Sequence, residues 1–279
     1  MRTVAIVGVG LVGASFGLAI REAGFAGEII GVSSSDALSA ARKLGAISGS
    51  ATLDEACRRA DLIYLSQPVD RILSTISRLG PLAATGTLVT DAGSTKLTIV
   101  RKAAECLRHT EFIGGHPMAG KEKSGAEEAD ANLFRGRPYI LTPSSGPPSP
   151  HAASFRGLLE CIGANIVELD AQEHDRVVAF TSHLPQLVST ALASTLAHQK
   201  NNHLEQIFGP GLLDMTRLAL SSEALWTSIL AENREAALRA LDAFEEQLHR
   251  ARQAVATNNL ADLFSSGESF ASTIRKLTR

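Results

Sequence analysis

Cysteine, net charge and long apolar runs are all scarce in this chain of 279 residues. Lysine and arginine number 27 against 29 aspartates and glutamates, so there is no electrostatic reason to expect nucleic acid or an anionic membrane as a partner. The lack of uninterrupted apolar runs of about 18 residues argues against a membrane span. Cys57, Cys106 and Cys161 lie far apart without metal-ligand spacing, which is typical of reduced thiols. We therefore expect a cytoplasmic protein.

The pattern of apolar residues divides the chain near residue 170. Before that point, short apolar runs alternate with helical patterns, which is typical of βαβ units that build a parallel sheet. After it we find only helical patterns, a long one over 174–197 and at least one more within 223–256. We predict an α/β domain over 1–170 and an all-helical domain over 171–279 that packs against a second copy to form a homodimer. The predicted strands are 4–7, 29–32, 62–65, 88–90, 112–113, 139–141 and 166–169, and the predicted helices between them include 15–23, 36–44, 70–79, 97–107 and 152–161.

The first predicted strand runs directly into the motif G-x-G-x-x-G and then into a helical pattern. In this setting Gly8 allows the tight turn, Gly10 lets the backbone approach a pyrophosphate, and Gly13 lets the helix pack close to the strand. The N-terminus of that helix faces the phosphates. We therefore predict a Rossmann-type site for NADP or NAD, formed by this turn and by the ends of two neighbouring strands. The assigned residues are Gly8, Gly10, Leu11, Val12, Gly13, Ser33, Ser34, Ser66 and Gln67.

The residues after the second predicted strand bear on the choice between NAD and NADP. NAD sites commonly place Asp or Glu there to bind the adenosine ribose, whereas this chain has serines from Ser33 to Ser35 and reaches Asp36 only afterwards. Hydroxyl groups carry no charge that repels a 2′-phosphate, and Arg42 or Lys43 could reach one. The alternative is an ordinary polar turn in which Ser35 caps the next helix. We expect NADP, with NAD as the alternative.

Three turns after predicted strands are expected to meet at one edge of the sheet, where open α/β sheets bind their ligands. They hold Ser66 and Gln67, then Ser94 within the segment 91–96, and finally His116 in a glycine-flanked turn after the strand over 112–113. A histidine can accept a proton near neutral pH and return it, so His116 is a candidate general base beside a nicotinamide. The alternatives are a structural role for His116 and a helix-capping role for Ser94.

Several motifs together resemble those of prephenate and arogenate dehydrogenases. G-x-G-L-x-G-x-S at 8–15, D-x-G-S-x-K at 91–96 and GGHPMAG at 114–120 stand in the order seen in that family. The similarity continues through 122–125, 132–134, 182–185, 214–217, Trp226 and 232–233, and so covers nearly the whole chain. The resemblance implies a Rossmann domain and a helical dimerisation domain. It also implies an oxidative decarboxylation in tyrosine biosynthesis, in which a hydride leaves C4 of a cyclohexadienol for NAD(P) while the ring carboxylate departs as carbon dioxide.

The resemblance also implies roles for individual residues. His116 matches the catalytic histidine that hydrogen-bonds the C4 hydroxyl, and Ser94 matches a serine near that hydroxyl and the nicotinamide. Arg217 matches an arginine that binds a substrate carboxylate, for which a planar, permanently charged guanidinium is well suited. His183 matches a further active-site histidine, with a buried structural histidine as the alternative.

Three more positions concern the rest of the substrate pocket. Lys121 and Glu122 match a segment that lines or gates the pocket in relatives, although charges in a turn are as often simply solvated. Gln186 stands where some prephenate-specific relatives carry a second histidine. A glutamine can hydrogen-bond a keto or an amino group but cannot titrate. The sequence therefore leaves the choice between prephenate and arogenate open, and we expect prephenate or both.

Two other functions fit parts of this pattern. A 3-hydroxy acid dehydrogenase of the same two-domain plan more often uses a lysine of the helical domain as acid and base, whereas this helical half offers His183 and Arg217. A non-catalytic nucleotide-binding regulator needs only the glycine motif and gives no reason for Ser94, His116 and Arg217 to occur together. We therefore predict an NAD(P)-dependent prephenate or arogenate dehydrogenase.

Overall fold

The computed structural model describes residues 1–121, 123–143, 148–201 and 203–277. In these residues the strands are β1 (Thr3–Val7), β2 (Glu28–Val32), β3 (Gly49–Ser50), β4 (Leu62–Leu65), β5 (Leu88–Asp91), β6 (Glu111–Pro117), β7 (Pro138–Thr142) and β8 (Asn165–Glu168). They form one sheet in the order β3-β2-β1-β4-β5-β6-β7-β8. The pairings from β1 to β6 are parallel, β7 is antiparallel to β6, and β8 is parallel to β7. The predicted α/β class is confirmed. The last two strands, β7 and β8, run in the opposite direction to the six strands before them.

Helices connect the strands, and within the described residues all regular secondary structure after β8 is helical. The helices among the strands are α1 (Leu11–Glu22), α2 (Ser35–Lys43), α3 (Leu53–Arg59), α4 (Val69–Leu79), α5 (Leu97–Cys106) and α6 (Pro150–Cys161). The helices after β8 are α7 (Ala171–Val178), α8 (Leu184–Ala197), α9 (Pro210–Thr216), α10 (Glu223–Glu232), α11 (Arg234–Ala256) and α12 (Ala261–Leu277). None of these described helices combines the length and apolarity needed to cross a membrane.

The sheet is buried on both faces, which explains why its central strands are apolar throughout. Successive residues of β1 point to opposite sides, so that Ile6 packs in one cluster and Val7 in the other. On the first face Phe16 of α1 stacks on Tyr64 of β4 with 4.1 Å between ring centroids. The Tyr139 hydroxyl of β7 donates to that of Tyr64 over 3.1 Å, so the one polar atom on each ring is hydrogen-bonded in the core.

The helix predicted over 174–197 is interrupted by one wider turn. α7 continues into a π-helical turn over Ala179–His183, and α8 follows without a break. Such a turn inserts an extra residue and re-aims the side chains beyond it, and π-turns occur frequently at functional sites. Here the turn ends on His183, one of the predicted site residues.

The prediction that His116 lies in a turn is wrong. β6 continues past Ile113 to Pro117, because Gly114 to Pro117 pair with the antiparallel strand β7, with His116 opposite Ile140. The apolar pattern stops at Ile113, and glycine and proline normally indicate a turn, so the sequence hid this extension. His116 is thereby held by a hydrogen-bonded ladder, which positions a side chain more rigidly than a loop does.

β3 and α3 were not predicted from the sequence, and the N-cap of α2 is a different residue from the predicted one. β3 has only two residues, and α3 begins at a capping box in which Thr52 and Glu55 bond each other's backbone. The N-cap of α2 is Ser34 and not Ser35, and its side chain makes no capping hydrogen bond.

Gly115 offers a test of the close packing of β6 against β5. A Cβ at this position falls inside van der Waals distance of the Asp91 carbonyl oxygen. Gly115→Ala should therefore cost about 1–3 kcal/mol of stability, measured by chemical denaturation. Gly157→Ala is the matched control, because a Cβ there meets no described atom within 4 Å and alanine is the better helix former in α6. Equal stability of the two variants contradicts the packing argument.

Candidate active site

The turn between β1 and α1 has the geometry that a dinucleotide requires. Gly8 has a φ of +93°, and a Cβ there meets Gln67 atoms at 2.6 and 2.9 Å. A Cβ at Gly13 lies 2.5 Å from the Ser66 hydroxyl group, which donates a hydrogen bond to the Gly8 carbonyl oxygen over 2.8 Å. At Gly10 a Cβ meets no described atom within 4 Å, so the backbone there is open to a ligand. The turn is thus closed towards the protein and open towards the groove.

A groove of about 930 Å³ runs from this turn along the carboxyl edge of the sheet. Six of the predicted cofactor residues line it: Gly8, Gly10, Ser33, Ser34, Ser66 and Gln67. Gly13 supports the turn from below, as described above. Leu11 and Val12 instead belong to α1 and pack against the core, so their side chains do not form the groove wall. The residues present fit an NAD(P) molecule, with its pyrophosphate at Gly10 and the N-terminus of α1.

Three charged side chains line the groove. Asp36 follows Ser33 and Ser34 in the chain, Arg71 belongs to α4, and Glu127 lies between β6 and β7. Arg42 and Lys43, predicted to reach a 2′-phosphate, are not among the residues that line the groove. Arg42 lies 3.4 Å from the Ser50 hydroxyl of β3 instead. Sequence reasoning thus missed Arg71, which is distant in the chain from the β2 turn.

His116 lies at the carboxyl end of β6, on the same edge of the sheet as the glycine turn. It is 8% exposed, and its Nδ1 is 2.8 Å from Nε2 of His174 in α7. Burial lowers the pKa of His116 well below its ordinary value, and the neighbouring His174, Lys96 and His183 lower it further. The imidazole is therefore neutral at physiological pH and able to accept a proton.

A hydrogen-bonded series decides which nitrogen of His116 can act. Nδ1 of His174 is 2.8 Å from an Asp175 carboxylate oxygen, which can only accept, so His174 donates from Nδ1. Burial lowers the pKa of His174, so the ring is neutral and its Nε2 carries a lone pair. His116 must then donate from Nδ1 to that lone pair. Its own Nε2 is left unprotonated, which is the form that a general base needs.

Asp175 is held in place by the start of α5. Its two carboxylate oxygens accept the backbone N–H groups of Lys96 (2.7 Å) and Leu97 (2.9 Å). These donors otherwise lack a partner at a helix N-terminus, where a carboxylate is also stabilised by the helix dipole. The helical part of the chain is thereby joined to the turn that follows β5.

Buried residues of the motif D-x-G-S-x-K stabilise the same turn. Lys96 is fully buried and forms an ion pair with Asp91, which is equally buried. Asp91 also accepts the backbone N–H groups of Gly93 (2.8 Å) and Gly115 (3.0 Å), tying β5 to β6 beside His116. A buried ion pair with these extra hydrogen bonds determines local geometry more than it adds stability. Ser94, the predicted site residue, is partly buried within this turn.

His183 is linked to Asp175 through Asn233 on the helical side of this cluster. Asn233 donates from Nδ2 to the Asp175 carbonyl oxygen over 2.8 Å and lies 3.3 Å from Nδ1 of His183. The His183 ring also meets Trp226 edge to face, with 5.8 Å between ring centroids. Burial lowers the pKa of His183 to about 4, so it too is neutral.

The remaining predicted residues differ in burial and in the groups that they contact. Gln186 is buried in the first turn of α8, and its Nε2 donates to the carbonyl oxygen of Leu218 over 2.8 Å. Arg217, the residue before Leu218, is exposed and lines a groove between α8 and α9. Lys121 is partly exposed and binds Asp130 at 3.2 Å. Glu122 lies outside the described residues.

The His174–Asp175 pair is a functional candidate that sequence reasoning missed. Asn233 lies in the segment 232–233 that carries part of the resemblance, but no role was predicted for it. The sequence carried a signal for the pair, since adjacent histidine and aspartate occur on the first helical pattern after β8. Helical spacing alone does not show that this face turns towards β6. Contacts between residues 58 positions apart, His116 with His174 and Asp175 with Asn233, exist only in the folded chain.

A Rossmann-type sheet, a glycine turn open to a dinucleotide and a buried neutral histidine at the same edge together define an NAD(P)-dependent dehydrogenase. Two family models match the chain: "Prephenate dehydrogenase, nucleotide-binding domain" over residues 16–168 and "Prephenate dehydrogenase, dimerization domain" over residues 170–267. The chain belongs to the prephenate dehydrogenase family.

Individual relatives agree with this assignment. The chain is 36% identical to a prephenate dehydrogenase of Lactococcus lactis over 257 residues, which cover 89% of this chain and 70% of the relative. The structure of prephenate dehydrogenase from Aquifex aeolicus, solved with hydroxyphenyl propionate and NAD+, matches with a TM-score of 0.90 and 31% identity, covering 99% of this chain and 98% of the other. Synechocystis arogenate dehydrogenase matches with a TM-score of 0.82 and 29% identity, covering 99% of both chains.

The hydrogen-bonded series predicts a specific effect of replacing His174. His174→Phe removes the acceptor that holds the His116 proton on Nδ1, and kcat should fall by roughly 10²-fold or more because the wrong tautomer becomes populated. His174→Gln keeps an acceptor oxygen and should retain more activity. Equal loss of kcat in both His174 variants points to a purely structural role for His174.

In the unaltered enzyme, kcat/KM should fall with decreasing pH only well below pH 6.5, because the pKa of His116 is lowered.

Proposed function

We propose that the protein catalyses the NAD(P)-dependent oxidative decarboxylation of prephenate, arogenate or both. The observation that carries this proposal is the buried series Asp175–His174–His116, which leaves the Nε2 lone pair of His116 available at the edge where the glycine turn lies. The reaction needs a base for the C4 hydroxyl, and the names of the relatives point to the same chemistry.

His116 acts on the hydroxyl group at C4 of the substrate. Its Nε2 accepts the hydroxyl proton as the C4–H electron pair leaves, and the bound nicotinamide supplies the hydride acceptor. The bond between the ring and its carboxylate then breaks, carbon dioxide departs, and the bonding electrons make the ring aromatic. The proton returns from His116 to the phenol oxygen. No net proton is taken up or released, so a base that stays neutral between turnovers suits the reaction.

The other predicted residues surround the substrate in this proposal. Ser94 lies in the turn beside Lys96 and hydrogen-bonds near the C4 hydroxyl and the nicotinamide. His183 and Gln186 face the substrate from the helical side, and Arg217 binds a substrate carboxylate. Lys121 belongs to the segment that lines or gates the pocket in this proposal. A pocket closed by these groups excludes water, which strengthens each hydrogen bond to the reacting atoms.

For the cofactor we propose NADP in preference to NAD. Ser33 and Ser34 follow β2 without a carboxylate, and Arg71 reaches the same end of the groove, where it can pair with a 2′-phosphate. Asp36 and Glu127 line the groove as well, and a carboxylate beside the ribose favours NAD. The proposal therefore depends on Arg71 outweighing both carboxylates.

We further propose a homodimer that works in the cytoplasm, with the boundary between its two domains at about residue 170. β8 ends at Glu168 and α7 begins at Ala171, and the two family models meet between the same residues. Apolar side chains on the last two helices support a second copy as their cover, since Val255, Phe264 and Phe270 are each about 70% exposed. The three free thiols support a reducing compartment.

A four-way assay tests the function. Purified protein is incubated with prephenate or arogenate and with NAD or NADP, and reduced nicotinamide is followed at steady state. His116→Asn should lower kcat by roughly 10²–10⁴-fold with little change in cofactor affinity, because it removes the base alone. His109→Asn, an exposed histidine, serves as the control and should leave kcat unchanged. No turnover with either substrate overturns the proposed function, and an unchanged kcat in His116→Asn overturns the proposed base.

Arg71 gives a separate test of cofactor choice. Arg71→Ala should raise KM for NADP by roughly 10-fold or more and leave KM for NAD unchanged, because a charge-assisted hydrogen bond to phosphate is lost. Arg78→Ala is the matched control, since Arg78 lies in the last turn of the same helix and faces Asp54. A wild-type enzyme that prefers NAD, or an equal effect on both cofactors, overturns the NADP proposal.

A further inference from the structure

The side chain of Asn233 is buried between α10 and α11, and its backbone is fixed on both sides. Asn233 is 6% exposed. Its N–H donates to the Ile229 carbonyl oxygen over 3.1 Å, and its own carbonyl oxygen accepts the Ala237 N–H over 3.0 Å. An asparagine at a helix N-cap usually bonds the first turn of that helix, but this side chain makes no capping hydrogen bond with α11. Its amide nitrogen is turned towards α7 instead.

The carbonyl oxygen of Asp175 determines which way this amide faces. It lies 2.8 Å from Nδ2 of Asn233 and, as a carbonyl oxygen, it can only accept. If the amide were turned over, two acceptor oxygens would lie against each other. The NH₂ group must therefore face Asp175, and this contact uses one of its two protons.

The second proton of the amide faces the ring of His183. Nδ2 of Asn233 lies 3.3 Å from Nδ1 of His183, and an NH₂ nitrogen can only donate, so Nδ1 must accept. A ring nitrogen that accepts carries a lone pair and no proton. The proton of the ring then lies on Nε2, and the ring is neutral. The pKa of His183, which burial lowers to about 4, agrees with a neutral ring.

We propose that Asn233 is a positioning residue, which holds His183 in the Nε2–H tautomer and links it to Asp175. The series behind His116 places the protons of His116 and His174 on Nδ1 instead. The protein thus contains neutral, buried histidines of both tautomers, and Asp175 is connected to both kinds. His116 can only accept at Nε2, whereas His183 can only donate from Nε2. The effect of Asn233 on turnover rests on the proposed function, but the tautomers do not.

The test reads the tautomer of His183 by ¹⁵N NMR of protein labelled in its histidine rings, near neutral pH. Protonated and unprotonated ring nitrogens give well-separated signals, and those of His183 are the ones lost in His183→Gln. The unaltered enzyme should show a proton on Nε2 and none on Nδ1. Asn233→Asp replaces the donor by a carboxylate that can only accept, so Nδ1 of His183 should become protonated. Asn165→Asp is the matched control, since exposed Asn165 also donates to a backbone carbonyl oxygen, that of Gly136.

The measurement on the unaltered enzyme keeps the test independent of how Asn233→Asp folds. A proton on Nδ1 of His183 in the unaltered enzyme, or an Nδ1 that stays unprotonated in Asn233→Asp, overturns the inference and leaves the proposed function intact.

Steady-state kinetics tests the positioning role. Asn233→Asp should lower kcat/KM by roughly 10- to 100-fold, and Asn165→Asp should change it by less than about 3-fold. An unchanged kcat/KM in Asn233→Asp overturns that role. If the unaltered enzyme turns over neither substrate while His183 carries its proton on Nε2, the proposed function fails and the assigned tautomer stands.

Discussion

The carboxylate of Asp175 is the group on which the rest of the site depends. It accepts the first backbone N–H groups of α5 and the Nδ1 proton of His174. The first contact joins the helical domain to the turn after β5, and the second determines the tautomer of two histidines in succession. One buried charge thus determines both how the two parts of the chain meet and which nitrogen of His116 is basic. An uncompensated carboxylate at this depth is costly, and three donors to it remove that cost.

Burial sets the electrostatics of the whole cluster. His116, His174 and His183 all have lowered pKa values, because desolvation disfavours the imidazolium form. Each is therefore neutral in the folded protein, and the folded state loses stability as the pH falls below about 6.5, where unfolded histidines bind protons. The only cation inside the cluster of described residues is Lys96, and Asp91 neutralises it. A neutral, dry base beside a cofactor groove is consistent with a reaction that moves a hydride and needs a proton held only briefly.

The two halves of the chain contribute different parts of the site. The sheet supplies the glycine turn, the groove and His116, all on rigid elements whose ends share one edge. The helical half supplies His174 and Asp175, which are hydrogen-bonded in series behind His116, and Asn233, which joins Asp175 to His183.

Much of this could be predicted from the sequence. The β1–α1 glycine motif, the parallel strands and the helical second half follow from local patterns, because periodicity and turn chemistry act over a few residues. The roles expected for His183 and Gln186 came from the resemblance to a family and not from such patterns. The extension of β6 through His116, the reversal of β7, the contact of Arg71 with the cofactor groove and the relay through His174 could not be predicted. Each of these depends on atoms that are far apart in the chain and are brought within about 3 Å only by packing. The sequence by itself determined which chemical groups this protein has and at which edge of the sheet they gather. Only the tertiary structure decided which atom of each group is left free to act, because hydrogen bonds from distant segments occupy the others.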